Sequence, residues 1–106
     1  MSNLDLDIVK KDEKTHTTFR MKWYETVVFH NYDSNDPLVV AIQGDKRDSP
    51  PVLCDTNGEA AKQPITIGPL GSKGYGICRN YQGTHFTYTA KIGGAAGEDP
   101  IVIIER

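Results

Sequence analysis

Four consecutive β-branched residues, Ile101-Val102-Ile103-Ile104, follow the Asp99-Pro100 step near the end of the chain. β-Branched side chains crowd a helical turn but pack well on a pleated surface. The stretch therefore reads as a strand buried on both faces, or nearly so. Almost nothing upstream places apolar residues at helical spacing. A chain closed by such a strand is constrained to a small all-β domain, a class whose function is grafted onto loops.

Period-two alternation supplies the other strands. Leu4, Leu6 and Ile8 alternate with Asp5 and Asp7. Phe19, Met21 and Trp23 alternate with Arg20, Lys22 and Tyr24. That second strand is expected to run on through Val27-Val28-Phe29 across a bulge near Glu25-Thr26, where the alternation slips. Asn31 to Pro37 is a turn, and Leu38 to Gln43 is a nearly continuous apolar strand suited to the middle of a sheet. Val52-Leu53-Cys54 and Ile65-Thr66-Ile67 are short strands, and Ala60-Ala61-Lys62 has room for one helical turn. Tyr75 and Ile77 mark the next strand. Phe86, Tyr88, Ala90 and Ile92 form the clearest amphipathic one, ahead of the Gly93 to Gly97 turn. The expectation is one domain over residues 1–106: an all-β, two-sheet sandwich of seven or eight mainly antiparallel strands, preferred over a small barrel.

Composition narrows the function. A chain of 106 residues buries roughly 65% of its unfolded surface and needs neither metal nor disulfide to fold. Its formal net charge is −2, with Lys and Arg dispersed among acids. Nucleic acid is disfavoured as a partner, because phosphate neutralisation demands a basic excess. The first residues show neither a basic n-region nor an apolar h-region, and no run is long enough to span a membrane. The plain expectation is a cytoplasmic protein, with leaderless export or a trimmed signal as alternatives.

The histidines are His16, His30 and His85, and the cysteines are Cys54 and Cys78. Without a signal peptide, two buried reduced thiols are expected rather than a bridge. Neither cysteine sits in a Cys-x-x-Cys pair, so redox catalysis has no support. The segment Val28-Phe29-His30-Asn31-Tyr32-Asp33 through Pro37-Leu38-Val39-Val40, with a late Cys and His, resembles the cupredoxin pattern. There, an Asn-rich turn after a strand delivers a histidine ligand, and a late Cys, His and Met complete a copper site. The resemblance implies a cupredoxin-like or immunoglobulin-like sandwich. It would make His30, Cys78 and His85 the metal ligands. This chain departs from it with Leu38 after Pro37 and no methionine after Cys78, so the expected cofactor is none. As a whole the chain looks like a small bacterial protein, a likeness that implies no activity.

Other motifs dissolve on inspection. Asp33, Asn35 and Asp36 lack the glycine and bidentate Glu of a calcium loop and read as an Asx turn. Gly71-Ser72-Lys73 reverses the phosphate-loop order, with no helix after it. No nucleophile elbow accompanies the Ser, His and Asp residues. Strand aromatics such as Trp23 and Tyr24 are expected to fill or flank the core. Tyr32 and Tyr81 fall in turns, where an exposed ring can anchor a partner. The polar 44–64 excursion offers Lys46 and Arg47 ahead of the stiff Pro50-Pro51 step. The resulting expectation is a non-enzymatic binding module whose loops 31–37, 44–64 and 79–85 gather at one end of the sandwich and take a protein or carbohydrate. A metal-binding protein and a small enzyme of unassigned reaction are the alternatives.

Overall fold

The structure, a computed structural model, describes residues 3–11, 16–45, 51–95, 97 and 99–106. Nine strands follow in order: β1 (Asn3–Ile8), β2 (Thr18–Lys22), β3 (Thr26–Asn31), β4 (Leu38–Gly44), β5 (Leu53–Cys54), β6 (Ile65–Ile67), β7 (Ser72–Ile77), β8 (His85–Ile92) and β9 (Ile101–Glu105). They form two sheets, ordered β1-β3-β7-β5 and β2-β9-β8-β4-β6. The expected all-β sandwich is what folds, and the split of the expected second strand into β2 and β3 brings the strands among the described residues to nine.

That split is a correction. The Phe19–Phe29 segment is two strands in different sheets, joined by a tight turn at Trp23-Tyr24-Glu25 rather than a bulge. The Glu25 N–H donates to Lys22 O at 3.0 Å, and Glu25 Oε1 accepts the Lys22 N–H at 2.6 Å. The alternation slips at Glu25 because the chain crosses between sheets, so the inward face must be reset. β1 pairs parallel with β3 and β2 parallel with β9, while the other pairings are antiparallel.

Inward faces of both sheets share one core. Leu6, Ile8, Val27 and Phe29 meet Met21, Leu38, Val40, Phe86, Tyr88, Val102 and Ile104 there. The Phe29 ring of one sheet packs edge-to-face on Tyr88 of the other, with centroids 5.4 Å apart and planes at 80°, a favoured aromatic geometry. β9 lies between β2 and β8 as an interior strand, but it is not buried on both faces. Ile101 is 42% exposed and Ile103 half-buried, while Val102 and Ile104 are buried. β-Branching expresses strand propensity here, whereas two-face burial needs a second layer that a two-layer sandwich lacks. Ala60 makes a bridge to Cys54 instead of a helical turn.

The register also separates the loops. β3 begins at the 23–25 turn, where β7 ends (Thr26↔Gly76), β9 ends (Lys22↔Glu105), β8 begins and β4 ends (Gly44↔Phe86). Ile8, Asn31, Ser72, Leu38, Ile67 and Ile92 stand at the opposite end. Loop 31–37 is therefore at one end and loop 79–85 at the other, and the expected gathering of both at one end does not occur. At the 31–37 end, buried Asn31 donates from Nδ2 to the carbonyls of Asp36, Ile67 and Gly68 at 3.0–3.2 Å. The Asp33 carboxylate accepts the amides of Asn35 and Asp36 at 3.0 and 2.7 Å, the expected Asx turn.

Two outcomes follow from this packing. Removing residues 101–106 strips an interior strand whose two buried side chains each contribute roughly 1.5–3 kcal/mol, and the product is expected to lose its cooperative thermal transition; a native-like melt would contradict the interior placement. The Asp36 and Asn35 amides hold the Asp33 carboxyl below the ordinary aspartate value. Its stabilisation of the turn is thus present above about pH 4 and lost as pH falls through the lower folded value. The Asn35 and Asp36 amide resonances should shift together in that window, and Asp33→Ala should abolish the joint shift; titration at ordinary aspartate pH would contradict it.

Candidate functional site

The crossover turn that divides β2 from β3 puts Trp23 and Tyr24 on the surface, 54% and 58% exposed. Their rings stand at 85° with centroids 5.6 Å apart, forming a two-sided aromatic corner. The Trp23 N–H donates to Glu105 O at 3.0 Å, so the corner is tied to the end of β9. The two rings rim a groove of about 530 Å³ whose wall continues over Thr26, Gly76, Cys78, Arg79 and Arg106. Gly76 pairs with Thr26 on the outer face of the first sheet, and a Cβ built there meets nothing within 4 Å. The missing side chain opens the groove.

The far wall rests on a hydrogen-bonded knot around Tyr81, which is 1% exposed. Its hydroxyl donates to His85 O and accepts the Asp45 N–H at 3.1 Å, while Asp45 Oδ2 accepts the Thr84 N–H at 3.2 Å. Burial pushes the Tyr81 hydroxyl above the usual tyrosine pKa, which keeps it a neutral donor. A Cβ on Gly83 would collide with the Tyr81 ring, so only glycine fits there. Arg106 Nη2 donates to Tyr81 O and Gly83 O at 2.7 and 2.9 Å, fixing its guanidinium beside the groove.

The expected site residues fare unevenly. Tyr81 is a core residue and no exposed anchor, because its hydroxyl found backbone partners that a turn reading does not foresee. Tyr32 is exposed at 56%, with its ring 6.2 Å from that of His30, but it lies at the opposite end of β3 from Trp23. The six residues of β3 separate the two ends by about 17 Å. Lys46 and Arg47 lie outside the described residues. Trp23, Tyr24 and Arg106 were missed as a group: period-two alternation assigned the aromatics to the core, and the slip at Glu25 was the only signal of a turn.

The cysteines are bridged. Cys54 and Cys78 form a disulfide with Cα atoms 5.0 Å apart, tying the edge strand β5 to the end of β7. The expectation of reduced thiols is overturned, since β-register sets Cys54 opposite Gly76 and leaves Cys78 within bonding reach. Cys78 is thereby lost to the His30, Cys78, His85 metal set. His30 is engaged elsewhere, with Nδ1 2.6 Å from Ser72 Oγ and Nε2 2.9 Å from Asp5 Oδ1. Among the described residues, no group of three or more His, Cys, Asp and Glu side chains is placed to hold a metal ion.

Asp5, His30 and Ser72 form an ordered acid–imidazole–hydroxyl chain across β1, β3 and β7, which the sequence motifs gave no reason to expect. It lies on the outer sheet face and lines none of the described grooves. Nearby amides are engaged: Asn31 N–H donates to Gly71 O and Gly71 N–H to Gly68 O. Acyl transfer needs donors aimed at a developing oxyanion within a concave site. The chain is read as a cross-strand ladder that couples three strands.

The bridge closes a loop of sequence separation 24, worth roughly 3.5 kcal/mol in the chain-entropy account. Reduction should therefore lower the thermal midpoint substantially, with Cys54→Ala/Cys78→Ala reproducing the loss. A melt insensitive to reductant would contradict a structural role for the bridge.

No helix among the described residues is long and apolar enough to cross a membrane. No protein-family model matches the sequence, and no curated protein is similar to it at a significant level.

Proposed function

We propose that the protein is a non-enzymatic binding module that takes its ligand in the Trp23–Tyr24 groove. The observation that carries this reading is the exposure of two large aromatics as a perpendicular pair beside an open trough. Soluble folds normally bury such rings, and exposed aromatic clusters mark recognition surfaces. The volume falls within the range of ligand sites, roughly 300–1,000 Å³. The turn is braced by hydrogen bonds to Lys22 and Glu105, so little ordering entropy is lost when a ligand stacks there.

The scaffold is proposed to be closer to a cupredoxin-like than an immunoglobulin-like sandwich. In immunoglobulin domains the first two strands share a sheet, whereas β1 and β2 lie in different sheets here. The disulfide supports an oxidising compartment, since such bridges are rare where glutathione keeps thiols reduced. We propose that setting in place of the cytoplasmic expectation.

A ligand found by a saccharide and small-molecule array should lose at least about tenfold in affinity on Trp23→Ala. Stability should change by no more than about 0.5 kcal/mol, as for ordinary surface sites. Gly76→Leu should fill the trough and block binding without lowering the melting temperature, because it adds a side chain into open space on a strand where glycine is disfavoured. Undiminished binding by both variants would remove the groove from the account.

A further inference from the structure

We infer that the groove recognises a sugar ring bearing a carboxylate, such as a terminal uronic acid. The inference rests on the groove being the binding site and adds the class of ligand. Its first support is Arg106. Both hydrogen bonds that anchor this guanidinium come from Nη2, and the Nε and Nη1 hydrogens have no acceptor among the described residues. The side chain is thus held rigid on one edge and lines the groove with donors to offer. An arginine oriented before the ligand arrives loses little rotamer freedom on binding a carboxylate, and the charge-assisted bond is stronger than a neutral one.

The second support is the charge around it. Arg79 lines the same groove, is exposed, and makes no ion pair among the described residues. The acid that also lines the groove, Glu25, has its Oε1 on the Lys22 amide within the turn. The groove lining thus carries two guanidiniums against the one Glu25 carboxylate, an excess of one positive charge on a chain of net charge −2. That combination suits a compact monoanion better than a long polyanion, whose many charges the rest of the surface repels.

The third support is the shape of the aromatic corner. Two ring faces at right angles offer a surface to the C–H groups of a saturated ring, which the negative aromatic faces attract. The trough beside them is lined by Thr26 and by Gly76, which presents no side chain, and it is partly open, so a ring carrying hydroxyls keeps them hydrated.

The test uses the full chain and the fluorescence of its single tryptophan, Trp23. It is titrated with a glucuronic-acid-terminated disaccharide, the matching glucose disaccharide, sodium sulfate and a short single-stranded oligonucleotide. The acidic disaccharide is expected to bind about tenfold tighter than the neutral one or more, a difference of about 1.4 kcal/mol. Arg106→Gln removes the charge while keeping a side-chain amide donor, and should erase most of that preference, read as the ratio of the two disaccharides' affinities for the same variant. Arg79→Ala, which anchors nothing, should reduce the preference in the same direction and keeps the test decisive if Arg106→Gln folds poorly. Equal affinity for the two disaccharides overturns the carboxylate inference and leaves the groove reading standing. Equivalent responses to sulfate and the acidic disaccharide, or tighter oligonucleotide binding, overturn the sugar assignment. Silence toward every probe overturns the ligand class, and the groove itself falls only if Trp23→Ala also spares binding of an array-identified ligand.

Discussion

The Phe29–Tyr88 contact joins the inward faces of the two sheets, and the rest of the molecule is arranged around keeping those faces together. Once β3 and β8 are packed through these rings, period two assigns every neighbour in their registers to the core or the surface. Val27 and Phe29 point in, so Thr26, Val28 and His30 point out; Phe86, Tyr88, Ala90 and Ile92 point in beside exposed or half-buried partners. The crossing of the chain from β2 to β3 keeps Met21 and Val27 inside one core although they belong to different sheets.

That crossing has a cost in apolar exposure. A three-residue turn cannot bury both Trp23 and Tyr24, so two large rings face water at the end where β7, β9 and the 78–84 loop converge. Three local features turn the exposure into a groove: Gly76 withholds a side chain, Tyr81 folds its loop down onto Gly83, and Arg106 clamps that loop from the end of β9. The Cys54–Cys78 bridge secures the short β5 edge directly beside the groove wall.

The sequence was informative where burial obeys a simple period. β1, β4, β6, β8 and the Asn31–Pro37 turn are where alternation and turn chemistry place them, because each depends on local spacing alone. The misreadings arose where non-local contacts decide. Tyr81 is held inside by one acceptor four residues ahead, His85 O, and by a donor from Asp45, which no window of sequence displays. The cysteines are joined by the β5–β7 register, although the expectation from compartment favoured free thiols. Trp23 continued an alternation whose partner layer ended at Lys22. The Asp5–His30–Ser72 chain needed the parallel β1–β3 pairing, which no hairpin signal encodes. Of the candidate site, Trp23 and Tyr24 were legible as residues of interest but not as surface, and Arg106 carried no signal at all.

The central claim is that recognition occurs at the Trp23 end of the sandwich and not at the Tyr32 end. Amide chemical-shift mapping of the full chain with a bound saccharide separates the two directly, since the ends lie about 17 Å apart along β3. The account predicts perturbations confined to residues 23–26, 76–79 and 106, with residues 31–37 and 68–71 unmoved. Perturbations centred on Tyr32 and Leu70, with the Trp23 indole unchanged, would contradict it.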